Sequence, residues 1–131
     1  MGNFNNTQIT IIGLGNLGIS IGKFLLSNNK TIKIVGFDLD KNQSKLAKNS
    51  ESITIESNSY SDSVENSDIL ILAVPTSSTY DVFESLVDNI DERICIFDFH
   101  QIKELLALGQ MNCYLIMKLL ECILLLKMIR Y

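Results

Sequence analysis

Three glycines, in the run Gly13-Leu14-Gly15-Asn16-Leu17-Gly18, have the type and spacing that point most directly to chemistry in this chain. The first permits a tight turn, the second lets a ligand approach bare backbone, and the third lets a helix lie close against a strand. A helix opening inside such a run presents its first N–H groups and the positive end of its dipole, a seat for a diphosphate that needs no lysine. All six residues are therefore expected at a dinucleotide's diphosphate. Asp38, twenty positions beyond Gly18, would accept hydrogen bonds from the adenosine ribose hydroxyls and repel a 2′-phosphate. This favours NAD as the cofactor; NADP is the alternative, because Lys41 is near enough in sequence to blunt the repulsion. Val74, Pro75 and Thr76 are expected to line the ribose and nicotinamide side.

These residues need a strand before the glycines, a helix within them and a second strand ending at Asp38. The β-branched run at 8–12 is too short for a helix and predicts a buried strand. Leu17, Ile21, Phe24 and Leu25 recur at helical spacing over 16–26, closed by Ser27-Asn28-Asn29. A strand over 31–37 follows, then a short helix from Lys41 to Asn49 with Asp40 as its N-cap. Residues 53–55 read as a brief third strand and 61–67 as a polar connection or helical turn. The continuous apolar run at 69–74 has the pattern of a central parallel strand covered on both faces, ended by Pro75. A helix over 76–89 and a strand over 94–97, stopping at Asp98, complete the series. Alternation of strand and helix predicts an α/β fold, a Rossmann-type doubly wound parallel sheet.

Composition narrows the partners. Of the 131 residues 47% are hydrophobic and 20% charged, with one proline, which is the profile of a folded globular chain. Domain size allows a single core and no second catalytic domain. A net charge of −4 offers no basic field for nucleic acid. Cys95, Cys113 and Cys122 form no C-x-x-C pair and have one histidine beside them, so no metal site is expected and reduced thiols in a cytoplasmic protein are the simpler reading. The start lacks the basic and apolar regions of an export signal. After Glu104 the composition changes: residues 105–131 hold one acid, Glu121, against Lys118, Lys127 and Arg130, among many Leu, Ile and Met. The division expected is a dinucleotide-binding domain over 1–104 and an apolar, helical tail over 105–131. Lys118 and Glu121 at the tail's middle oppose a membrane span, at ~2.5–3.5 kcal/mol each. The tail reads instead as a core helix or a surface through which copies of the chain associate, or as a truncated or out-of-frame end.

The segment resembles the N-terminal domain of the prephenate/arogenate dehydrogenase family of tyrosine biosynthesis. The resemblance rests on the glycine run continued by Ile19-Ser20, on Ser67-Asp68-Ile69-Leu70-Ile71-Leu72-Ala73-Val74-Pro75, and on Asp98-Phe99-His100-Gln101-Ile102-Lys103. The first two motifs are shared with other NAD(P)-dependent dehydrogenases, and the third narrows the choice. The resemblance implies oxidative decarboxylation: hydride leaves the ring carbon bearing the hydroxyl, a base takes the hydroxyl proton, and carbon dioxide departs as the ring becomes aromatic. It makes Gln101, standing where the family has serine, and Lys103 the candidates for contact with a small-molecule substrate. The family's catalytic histidine, in a His-Pro-Met sequence, has no counterpart, since no histidine follows His100 and no proline follows Pro75. His100 does not match that position and reads better as a locally bonded residue at a strand end. The expectation is thus the cofactor half of such an enzyme without its general base. Two alternatives stand beside it: a non-catalytic NAD-binding or interaction module, and the cofactor domain of another dehydrogenase such as the β-hydroxyacid type.

Overall fold

A computed structural model describes residues 6–99 of the chain. His100, Gln101, Lys103, Cys113, Cys122 and the 105–131 tail lie outside the described residues. Strand β1 (Gln8–Ile12) leads into α1 (Asn16–Asn28), β2 (Lys33–Phe37), α2 (Lys41–Asn49), β3 (Ile55–Glu56), α3 (Tyr60–Val64), β4 (Ile69–Leu72), α4 (Thr76–Leu86) and β5 (Cys95–Asp98). The strands form one parallel sheet in the order β3-β2-β1-β4-β5. The chain winds outward from β1 to β3 and then returns to β4 on the other side of β1, so the order reverses between β1 and β4. A crevice opens at the carboxyl ends of strands where the order reverses in this way.

Successive residues of a strand face opposite sides of the sheet, and both sides are covered. Ile11 lies beneath α1, its Cγ2 3.5 Å from where a Cβ on Gly18 would sit. Ile12, Phe37, Leu70 and Leu72 point the other way and pack with Val64 of α3 and with Val82 and Leu86 of α4. That double cover explains the unbroken apolar runs: every residue of β1 and of β4 is buried. The polar members of β1 are paired through their side chains. Thr10 Oγ1 donates to the Ser63 carbonyl at 2.5 Å and Gln8 Nε2 to the Glu65 carbonyl at 2.7 Å, tying β1 to α3.

The elements agree with the sequence pattern in kind and differ at their ends. The third strand is Ile55–Glu56 rather than 53–55. Ile53 is 3% exposed and packs over Gly36 of β2 instead of extending the ladder. The polar stretch at 61–67 contains a true helix starting one residue earlier, at Tyr60, because Ser59 caps it by accepting from the Asp62 N–H. Helix α4 stops at Leu86, where the Asn89 N–H donates to the Leu86 carbonyl and tightens the chain into a turn. Strand β4 ends at Leu72, although the apolar run continues to Val74.

Candidate functional site

The carboxyl ends of β1, β2 and β4 lie level, since Ile12 pairs with Phe37 on one side and Leu72 on the other. Gly13 follows β1 with φ +93°, and its N–H donates to the Phe37 carbonyl at 2.9 Å. A Cβ there would meet the Ala73 carbonyl oxygen at 2.6 Å and Val74 Cγ1 at 3.0 Å. Backbone conformation and close approach both require glycine at this position. Gly18 is equally constrained: a Cβ would fall 1.9 Å from the Gly13 carbonyl oxygen, so α1 rests directly on the turn. Gly15 is the opposite case. It is exposed, it is the N-cap of α1, and a Cβ on it would meet no atom within 4 Å.

Helix α1 begins without help from side chains. No side chain caps it, its first turn holds no acid, and its first helical bond runs from the Ile19 N–H to the Gly15 carbonyl. The amides of Asn16, Leu17 and Gly18 precede that bond, as at any helix start. They therefore present donors and the positive end of the dipole next to the open space at Gly15. Leu14 differs from its neighbours: its side chain is wholly buried, and its N–H donates to Asp38 Oδ2 at 2.7 Å. Its contribution is to fix Asp38 against the turn.

Asp38 is half-buried just past β2. Oδ1 accepts from the Asp40 N–H at 2.8 Å while Oδ2 accepts from Leu14. A carboxylate offers about four acceptor positions, so its orientation is fixed while capacity for hydroxyl donors remains. On the other side of the glycine turn, Val74 is half-buried against the apolar cluster beneath α4, Pro75 caps that helix, and Thr76 is its first residue. The structure thus brings Gly13 to Gly18, Asp38 and Val74 to Thr76 onto one rim. The substrate candidates Gln101 and Lys103 lie outside the described residues.

Sequence reasoning missed three members of this neighbourhood. Gly22 lets α1 pack on the loop after α2, for a Cβ there would fall 2.0 Å from the Ser52 carbonyl oxygen. Its position four residues after Gly18, one turn along the same helix face, was the available signal. Tyr60 of α3 packs edge-on against Phe37, with ring centroids 4.6 Å apart. Burial, then the charge of Asp38, then that of Asp81 on α4 push its phenol above the usual range. No local pattern relates Tyr60 or Asp81 to Asp38, because only the sheet order brings α3 and α4 to the end of β2. Among the described residues no group of His, Cys, Asp and Glu could hold a metal ion, and no helix is long and apolar enough to cross a membrane.

A parallel sheet of this order, with a glycine turn opening a helix at the point of reversal, defines a Rossmann-type α/β domain. Residues 8–98 match the model of the family described as NADP oxidoreductase, coenzyme F420-dependent, and the chain belongs to that family. The described part is accordingly the dinucleotide-binding domain of an oxidoreductase family.

Solved structures share the fold at low identity. The prephenate dehydrogenase of A. aeolicus, in complex with hydroxyphenyl propionate and NAD+, matches with a TM-score of 0.69 at 20% identity, over 76% of this chain and 35% of that one. The arogenate dehydrogenase of Synechocystis matches at 0.65 and 17% identity, over 70% and 32%. The 3-hydroxyisobutyrate dehydrogenase of Mycobacterium tuberculosis, with L-serine, matches at 0.65 and 18% identity, over 72% and 31%. The matched region spans about a third of the length of each of these proteins.

Proposed function

We propose that residues 1–104 bind NAD at the rim between β1 and β4, and that the chain is the cofactor-binding half of a cytoplasmic NAD-dependent dehydrogenase of the prephenate/arogenate type. The observation that carries this reading is the bare start of α1 beside the open space at Gly15. In this reading the amides of Asn16, Leu17 and Gly18 hold the diphosphate, and charge-assisted hydrogen bonds of that kind are roughly twice as strong as neutral ones. Asp38, held by Leu14 and Asp40, takes the adenosine ribose hydroxyls. Val74, Pro75 and Thr76 border the ribose and nicotinamide side. The nicotinamide, when bound, supplies a hydride acceptor. Gln101 and Lys103 remain the proposed substrate contacts, and the general base comes from another chain or domain. The 105–131 tail is proposed as a surface through which copies of the chain associate.

The test is a fluorescence titration with NADH and NADPH on the unaltered chain and on Gly15→Val and Asp38→Ala. The valine variant is expected to lose NADH affinity by at least about tenfold, because its side chain occupies the space the diphosphate needs. The alanine variant is expected to gain NADPH affinity. Unchanged NADH binding in Gly15→Val would remove the glycine turn from the reading. The β-hydroxyacid alternative has its own support, a 3-hydroxyisobutyrate dehydrogenase with the same TM-score as the arogenate dehydrogenase. Competition by hydroxyphenyl propionate, against a short hydroxy acid, in the presence of NAD separates the two.

A further inference from the structure

We propose that the open cavity between the sheet and α3, at the opposite end of the strands from the glycine turn, is a site for a small organic cation whose head group carries N–H donors: an alkylammonium or a guanidinium on a short apolar stem. The cavity measures about 240 Å³, below the ~300–1,000 Å³ of pockets for drug-sized ligands. Gln8 pairs with Lys33 and Val35 with Ile55, so these four side chains share one face of the sheet and form the floor. Gln8 and Lys33 open β1 and β2, whose carboxyl ends at Ile12 and Phe37 are about 13 Å further along at ~3.3 Å per residue. The site is therefore separate from the rim, and the proposal does not rest on the dinucleotide reading.

The walls are acidic. Asp62 and Glu65, three positions apart along α3, line one side, and Glu56 of β3 lines another. Among the described residues none of these three carboxylates accepts a hydrogen bond or pairs with a cation. Lys33 is the one base in the lining, so the cavity carries a net negative charge. Gln8 supplies a second, independent signal. It is 5% exposed, its Nε2 donates to the Glu65 carbonyl at 2.7 Å, and its Oε1 accepts from no described donor. That oxygen is not sealed in the interior, where Thr79 Oγ1 is the one side-chain atom without a partner among the described residues. The open side of Gln8 is thus the cavity it lines. An acceptor held in this way favours a donor that can reach it, and a cationic N–H also meets the charge of the walls. Val35 and Ile55 offer apolar surface along which a short stem can lie.

The experiment titrates the full, nitrogen-labelled chain with butylammonium and with butylguanidinium, following the side-chain amide of Gln8 by NMR. Both cations are expected to shift it saturably, with a Kd of about 1 mM or tighter. Tetramethylammonium has the charge without an N–H, and butyrate has the stem with the opposite charge, so neither should approach saturation by about 50 mM. Asp62 and Glu65 are exposed, so amides are accommodated there without repacking. Asp62→Asn combined with Glu65→Gln is expected to weaken butylammonium binding at least about fivefold, and Lys33→Gln to strengthen it about threefold, both at low salt. NADH affinity should be unaltered in these variants. Absence of a saturable shift with either cation, an equal response to tetramethylammonium, or unchanged affinity in the double variant overturns the proposal and leaves the reading of the rim intact. A protein side chain could carry the same head group, and acetyl-Gly-Lys-Gly-amide tests that source. Tighter binding of the peptide than of butylammonium would overturn the assignment to a free small cation.

Discussion

Two pairs of helices begin differently. Helices α2 and α3 start at side chains that satisfy their own first amides: Asp40 accepts from the Asn42 N–H at 2.9 Å, and Ser59 from the Asp62 N–H at 3.1 Å. Helices α1 and α4 start at Gly15 and Pro75 with no side-chain cap. The uncapped pair follows β1 and β4, the strands between which the sheet order reverses. A cap is worth about 1 kcal/mol to a helix, and this fold goes without it at the two starts that border the crevice. Side-chain caps close the helix starts at the sheet's periphery, and the starts at the central rim keep backbone amides that no side chain caps.

The largest effect expected in a test of that contrast comes from Gly18→Ala. The added carbon would lie 1.9 Å from the Gly13 carbonyl oxygen, so α1 must lift off the turn and the helix start moves away from the rim. A loss of about 3 kcal/mol is expected, with a fall in Tm of roughly 10–20 °C by circular dichroism. A Tm within about 2 °C of the unaltered chain would mean that α1 does not need the close approach.

Gly15→Val comes next, with the opposite division between stability and binding. It meets no atom, so its cost in stability is held to about 1 kcal/mol or less by cap preference, whereas NADH binding falls at least about tenfold. A smaller effect is expected from Asp40→Ala, which removes a cap at the periphery. Chemical denaturation should register about 1 kcal/mol, with NADH affinity unaltered. A matching loss of NADH affinity would erase the distinction between the two kinds of helix start.

Asn16→Asp should have the smallest effect and sharpen the comparison most. A carboxylate in the first turn of α1 is expected to stabilise the helix by about 0.3–1 kcal/mol, through the same dipole and amides that would otherwise face a diphosphate. Thermal stability should rise slightly while NADH affinity falls a few-fold. Movement of both quantities in the same direction would show that the helix start holds no anion.

Much of this was written locally. The β-branched run of β1, the glycines, the apolar periodicity of α1 and the acid at the end of β2 depend on neighbours in sequence, and they determined the α/β class and the residues proposed to hold the cofactor. Asp40 as a cap was legible for the same reason, because a cap acts within one turn of its helix. What the tertiary structure decided lies between elements. It sorted the glycines, since Gly13 and Gly18 are fixed by atoms of Ala73 and of the turn itself while Gly15 faces open space. It also buried the Leu14 side chain and gave its amide to Asp38, and it packed Tyr60 of α3 edge-on against Phe37 at the end of β2. Those contacts join residues up to dozens of positions apart, and only the order of the strands in the sheet determines which of them meet.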